Sequence, residues 1–176
     1  MYKIKLLILL LISVLALSCS NKNIKHKSNT FSLSNIGGEY DGLILSNLLR
    51  SYLAGYGSFD PNTNLKIQGN ISHSSNIYIT NIDNTSDREK IETSISLKIY
   101  NRVEKCYVYE WNEHVTQFYI FSLNEKFISN QKAYEKIKYE NTEELVKQFI
   151  NEVFYKDLKC SKINKLYKQL KSIRKN

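Results

Sequence analysis

The sequence has few of the residues that mark catalytic or metal sites. It contains three histidines, three cysteines, one methionine and one tryptophan in 176 residues. His26, His73 and His114 are far apart, and no Cys–His spacing indicates a metal site. No serine stands in a G-x-S-x-G motif, and glycine patterns for phosphate or dinucleotide binding are missing. We therefore expect no enzymatic activity, no cofactor and no resident metal.

One pair of acidic residues needs separate consideration, because paired carboxylates can carry acid–base catalysis. Glu110 and Glu113 lie in a stretch rich in aromatic and β-branched residues that predicts a strand. An odd spacing in a strand places two side chains on opposite faces of the sheet. Paired acid–base chemistry is thereby excluded for these two glutamates.

Proline is also scarce, and long apolar runs are absent after residue 17. The chain has one proline and is rich in Asn, Lys, Ile, Tyr and Ser, a composition typical of AT-rich genomes. Base composition and core filling therefore explain the 13 tyrosines as well as a binding surface does. Without a second apolar run, the chain after the N-terminus is expected to stay outside the bilayer core.

The N-terminus predicts export and lipid attachment. Lys3 and Lys5 precede an apolar run over 6–17, which ends just before Cys19. The run is shorter than the roughly 20 apolar residues that span a bilayer. The segment resembles a bacterial lipoprotein signal, with residues 1–18 removed and Cys19 lipidated; an ordinary signal peptide or uncleaved anchor is the alternative. Ser20 in place of Asp favours the periplasmic side of the outer membrane, and several acyl chains would hold the protein there durably.

Positive charge is concentrated at the C-terminus. From residue 19 to 155 there are 15 Lys or Arg and 16 Asp or Glu, whereas 156–176 holds eight basic residues and only Asp157. Lysines at every third position, including Lys162 and Lys165, alternate with apolar residues at helical spacing. This pattern predicts a basic amphipathic helix that contacts anionic lipid. A solvated tail remains the alternative. Arg88 and Lys90 form a second basic group, which Asp87 and Glu89 flank.

The pattern of apolar residues predicts the order strand, helix, three strands, helix. Alternation is clearest over 91–99, and the aromatic stretch 106–121 indicates a long strand. The predicted fold is α+β, a two-layer sandwich whose antiparallel or mixed sheet of about four strands carries two helices on one face. The domain should cover 31–158, between a linker at 19–30 and a basic tail at 159–176.

Local signals refine these elements. Asp41 is expected to cap the first helix, and Gly69 to mark a bulge or close packing in the second strand. Residues 72–90 are rich in Ser and Asn and predict a long loop or the end of a hairpin, with at most a short edge strand at 77–79. Asn141 and Glu144 match a capping box for the last helix, although residues 126–140 keep a helical rhythm that would extend it backwards.

Cys106 and Cys160 are the cysteines outside the signal. An exported protein can oxidise them. They are either a disulfide pair or two unrelated thiols, and the spacing alone leaves both readings open.

Several segments together resemble the lipopolysaccharide-assembly lipoprotein family, the LptE family. The first is the lipoprotein signal. The others lie within residues 31–158 and are LILSNLLRSYL, ETSISLKIYN, VTQFYIFSLNEKF and ENTEELVKQFINEVF. The resemblance implies a plug-like partner of an LptD-like outer-membrane β-barrel that aids barrel assembly and binds lipopolysaccharide. Arg88, Lys90, Lys162 and Lys165 are then the candidate contacts to lipid phosphates. The alternative is a free-standing envelope lipoprotein that serves as a periplasmic protein-interaction module. No nucleic-acid partner is expected.

Overall fold

The structure, a computed structural model, describes residues 29–79, 87–121 and 127–160. Six elements follow one another in the predicted order of strand, helix, three strands and helix. They are β1 (Phe31–Gly37), α1 (Glu39–Gly55), β2 (Leu65–Ile79), β3 (Asp87–Asn101), β4 (Cys106–Phe121) and α2 (Phe127–Tyr155). The predicted α+β class is confirmed.

The four strands form one mixed sheet in the order β1-β2-β3-β4. β1 runs parallel to β2, with α1 in the connection between them. β2, β3 and β4 pair antiparallel in sequence order, so long hairpins form most of the sheet.

Both helices pack on the same face of the sheet. α1 contacts β1 and β2, α2 contacts β3 and β4, and the two helices also contact each other. Every second residue of β3 from Ile91 to Ile99 is buried beneath them, as the alternation predicts. The helices supply further fully buried side chains, which include Leu45, Leu49, Leu53, Leu145, Phe149 and Val153. Each such side chain contributes about 1.5–3 kcal/mol by leaving water.

Gly69 allows β2 and β3 to lie close together. A Cβ at this position would collide with the carbonyl oxygen of Ser96 and with the side chain of Leu97. The close packing predicted for this glycine is confirmed. The bulges of the sheet lie elsewhere, between Leu33 and Ile36 and between Ile99 and Tyr100.

The first helix begins differently from the prediction. Gly38 is the N-cap residue with φ 113°, and no side chain caps the helix. Asp41 is not the cap; it lies in the first turn, where its carboxylate contacts Lys138 and His73. Glycine adopts this positive φ readily, whereas residues with L side chains rarely do. The chain can therefore change direction at Gly38 and begin the helix at the next residue.

Of the two alternatives for residues 72–90, the long loop is wrong for the described residues 72–79 and 87–90, and the end of a hairpin is right. β2 continues to Ile79 and β3 resumes at Asp87, with continuous antiparallel pairing between them. Arg88 and Lys90 therefore lie in a strand. The Ser- and Asn-rich composition misled the prediction because alternate residues of these strands point away from the helices and need no apolar character.

The capping box at Asn141 and Glu144 is also wrong. α2 is 29 residues long and begins at Phe127, so Asn141 lies inside it, fully buried. The alternative, in which residues 126–140 extend the helix backwards, describes α2 correctly. The helix ends at Tyr155. In the described ranges, no helix combines the length and apolar character needed to cross a bilayer.

Candidate functional site

The sheet face opposite the helices is an exposed polar surface. Its middle carries polar side chains in register across three strands, most of them short: Asn70 faces Ser96, which faces Asn112, while Ser72, Ser94 and His114 form the next row. These rows line a shallow depression. Because the side chains are short, a partner can approach the backbone of the sheet closely.

One end of this open face combines positive charge with apolar side chains. Arg88 pairs with Ile120 and Lys90 with Phe118 across β3 and β4. Directly opposed residues share a face, so all four lie together on the open side, and we call them the distal patch. Phe118 is 60 % exposed and Ile120 is 72 % exposed. Apolar side chains this exposed beside cations indicate an amphipathic ligand or a partner surface.

The charge of the distal patch is partly balanced by one carboxylate. The Lys90 ammonium lies 2.9 Å from Glu92 Oε2. This contact holds the pKa of the Glu92 carboxyl below its ordinary value, chiefly through the hydrogen bond from Lys90. Arg88 forms no ion pair within the described part of the chain. Arg88 therefore offers its guanidinium fork to an anionic group, and such a fork fits phosphate in a bidentate manner.

The opposite end of the open face is held by internal contacts. Lys98 lies 3.2 Å from Glu110 and 5.7 Å from the ring centre of Tyr107. Gln68 donates a hydrogen bond to the Tyr107 hydroxyl at 2.7 Å, and Tyr100 packs edge-on against the same ring. Lys98 is paired here, as Lys90 is in the distal patch, whereas Arg88 forms no ion pair in the described part of the chain.

Glu110 and Glu113 pair with Lys98 and Ile95 respectively. Since Lys98 lies on the open face and Ile95 on the helix face, the two glutamates point to opposite sides, as predicted.

A disulfide lies at the end of the sheet that carries Lys98 and Tyr107. Cys106, at the start of β4, is bonded to Cys160, and their Cα atoms are 6.1 Å apart. Cys160 follows α2 closely, so the bond fixes the end of the described chain against the β3–β4 turn. Within the described ranges, Glu104 joins these two cysteines in the one group of closely placed metal-ligand atoms. A disulfide leaves no thiolate for a metal.

Sequence reasoning missed a polar cluster between the helices and the sheet. His73 Nδ1 lies 2.8 Å from Thr93 Oγ1, and its Nε2 lies 3.6 Å from Asp41. Lys138 reaches the same aspartate at 3.1 Å, and Asn141 donates to Thr93 at 3.3 Å. The His73 side chain is only 5 % exposed. Because both helices cover this central polar cluster, it stabilises the fold and does not face a partner.

The structure separates the predicted site residues into three groups. Arg88 and Lys90 lie together in the distal patch. Cys106 and Cys160 lie at the opposite end. Cys19, Lys162 and Lys165 are outside the described residues. Phe118 and Ile120 were missed, although the run FYIF is apolar at consecutive positions, and an alternating strand would leave two of them on the solvent side.

Comparison with solved structures identifies the fold. The chain resembles a minor lipoprotein from Acinetobacter baumannii with a TM-score of 0.54 and 15 % identity, covering 72 % of this chain and 91 % of that one. It also resembles the rare lipoprotein B from Shewanella oneidensis with a TM-score of 0.58 and 11 % identity, covering 71 % and 93 %. No family model matches the sequence, and no curated protein matches it either. The likeness is thus one of fold, and it is a fold that bacterial lipoproteins have.

Proposed function

We propose that this chain is a lipid-anchored outer-membrane protein that fits inside an LptD-like β-barrel and binds lipopolysaccharide at the distal patch. The observation that carries the proposal is the pairing of Arg88 and Lys90 with exposed Phe118 and Ile120. Lipopolysaccharide presents phosphates next to acyl chains. Cations beside apolar side chains match both parts of such a ligand.

Two further features support this function. The signal ending at Cys19 predicts a lipid anchor, and solved bacterial lipoproteins have the same fold. The open face is broad, polar and lined in its middle by short side chains. A surface of this kind suits contact with the polar interior wall of a barrel.

The ligand is tested with a charge variant and its matched control. Arg88→Ala with Lys90→Ala should weaken lipopolysaccharide binding by at least about tenfold, because each charge-assisted hydrogen bond contributes about 1.5–3 kcal/mol. The control is Lys132→Ala with Lys136→Ala, which removes two exposed lysines from α2. It should bind like the unmodified protein. Calorimetry on purified protein measures both.

Two further variants test the apolar half of the patch and the basic tail. Phe118→Ala with Ile120→Ala should weaken binding of intact lipopolysaccharide and leave binding of its deacylated, soluble form unchanged. Deleting residues 161–176, which spares Cys160, tests the tail lysines Lys162 and Lys165. Unchanged affinity in both patch variants would overturn the site, and a loss confined to the deletion would move the contact to the tail.

A further inference from the structure

The two ends of the described chain leave the domain at the same place. Thr30 and Thr63 are joined by hydrogen bonds of 2.9 and 3.0 Å, and Phe31 pairs with Leu65 at the lower edge of the sheet. Leu65 in turn pairs with Asn101, beside the β3–β4 turn. The disulfide attaches Cys160 to Cys106, the residue that pairs with Asn101. Thr30 and Cys160, close to the two ends of the described chain, therefore lie at one end of the sheet, which we call the basal end.

The basal end has the composition of a surface that touches lipid headgroups. Val103 is 70 % exposed at the tip of the β3–β4 turn, between the exposed Arg102 and Lys105. Tyr155 is 79 % exposed where α2 ends, next to exposed Lys156. Tyrosine with neighbouring Lys and Arg is typical of the membrane interface, where one end of the side chain is apolar and the other is wet.

The acidic groups at this end only partly offset the charge. Lys159 is paired with Asp157 at 2.6 Å, and Glu104 is exposed in the β3–β4 turn. Asp60 accepts a hydrogen bond from the backbone N–H of Asn62. Residues 161–176, which follow Cys160 directly, add six Lys or Arg and no acidic residue. The segment that carries this charge thus starts from Cys160, at the end of the domain that bears Arg102, Lys105 and Lys156.

We propose that the basal end is a second membrane attachment that binds anionic phospholipid headgroups beside the lipid anchor. The orientation rests on the proposed anchor at Cys19, but not on the lipopolysaccharide site. Residues 20–29 separate Cys19 from Thr30, and a chain of this length reaches at most about 40 Å. The basal end is within that distance of the lipid, and the tail begins at the same end.

This attachment would orient the whole domain relative to the membrane. β3 rises about 3.3 Å per residue, so the distal patch lies about 40 Å from the basal end. With the basal end on the headgroups of the periplasmic leaflet, the strands point away from that leaflet surface. In a barrel, whose lumen lies at the level of the bilayer, the basal end would meet the headgroups at the periplasmic rim while the strands run into the lumen instead of away from the leaflet.

The test uses the lipidated full-length protein in vesicles without a barrel or lipopolysaccharide. A photoreactive residue at position 103 reports contact with phospholipid, and one at position 118 serves as the distal reference. In vesicles of phosphatidylethanolamine with one quarter phosphatidylglycerol, position 103 should crosslink to lipid far more than position 118. Crosslinking should fall in phosphatidylethanolamine alone and at high salt.

Charge variants show which residues carry the contact. Arg102→Glu with Lys105→Glu should reduce crosslinking from position 103 by about tenfold or more, because each basic residue near an anionic surface contributes about fivefold. Deleting residues 161–176 should reduce it as well. Lys132→Glu with Lys136→Glu, the matched control, should leave it unchanged.

Equal crosslinking with and without phosphatidylglycerol, or an equal loss in the control, would overturn the basal attachment. Neither result would bear on the lipopolysaccharide site, which these vesicles do not probe.

Discussion

At the scale of single residues, His73 is the side chain whose environment differs most from its appearance in the sequence. It stands in a polar stretch, SHSSN, yet its ring is enclosed by groups from three other elements. Thr93 lies on β3, Asp41 on α1, and Lys138 with Glu135 on α2. Burial lowers the pKa of His73, and Lys138 lowers it further, while Asp41 and Glu135 oppose the shift.

This shift predicts a loss of stability on the acid side. Because the pKa of His73 in the folded state lies below its ordinary value of 6.5, the unfolded state binds the proton more readily. The contribution of neutral His73 is fully present above pH 6.5 and is lost as the pH falls towards the folded pKa. Denaturant titrations from pH 7.5 to 5 should therefore show a decline in the free energy of unfolding.

His73→Gln identifies the histidine as the source of that decline. The variant should be about 1 kcal/mol less stable at pH 7.5, since it disturbs the contact with Thr93. Its stability should then fall less steeply towards pH 5 than that of the unmodified protein. Parallel pH profiles for the two proteins would assign the decline to other groups.

At the scale of elements, the end of α2 is fastened to β4 by two kinds of bond. Glu152 accepts hydrogen bonds from the Tyr109 hydroxyl at 3.0 Å and from the Trp111 indole at 3.3 Å. Desolvation, with help from Glu152, raises the pKa of Tyr109 to about 12, so the phenol stays protonated and keeps donating. A few residues later the disulfide joins the chain to the start of β4.

The disulfide should therefore stabilise the whole domain. It closes a loop across a sequence separation of 54, for which the chain-entropy model gives about 4 kcal/mol. Cys106→Ser with Cys160→Ser should lower the free energy of unfolding by up to that amount. Treatment with reductant should lower the Tm of the unmodified protein and leave the Tm of the double variant unchanged. A Tm that reduction does not move would contradict a stabilising bond.

At the scale of the whole molecule, the two faces of the sheet have different surroundings. The helices cover one sheet face and close the core, while the other face stays exposed over its full length. A partner could cover this open face. An LptD-like barrel would do so, and a plug of this size implies a large interface.

Association with a barrel is testable in native membranes. Affinity purification of the lipidated protein from detergent-extracted outer membrane should recover a β-barrel protein in roughly equal amount. A Cys19→Ala chain, which lacks the predicted acylation site, is the control and should be depleted from that fraction. Recovery of the unmodified protein as a monomer, under conditions that keep other outer-membrane complexes intact, would instead favour the free-standing interaction module.

The sequence by itself determined the features that depend on local periodicity. The alternation over 91–99 predicts β3 and its buried face, and the aromatic stretch gives β4 from Cys106 to Phe121. These predictions succeed because side chains alternate along a strand whatever the strand pairs with. The prediction of a long loop failed over the described part of residues 72–90, where the exposed face carries polar residues and the local composition is that of a loop.

Only the tertiary structure decided which residues meet. The register of β3 against β4 brings Arg88 and Lys90 opposite Ile120 and Phe118, and a shift by one residue would turn either set to the other face. The return of α2 to the start of β4 pairs Cys106 with Cys160, which spacing left open. Both outcomes depend on packing between segments distant in the chain. The helix-covered core disfavours a one-residue shift, because such a shift would turn the apolar face of a strand away from the helices.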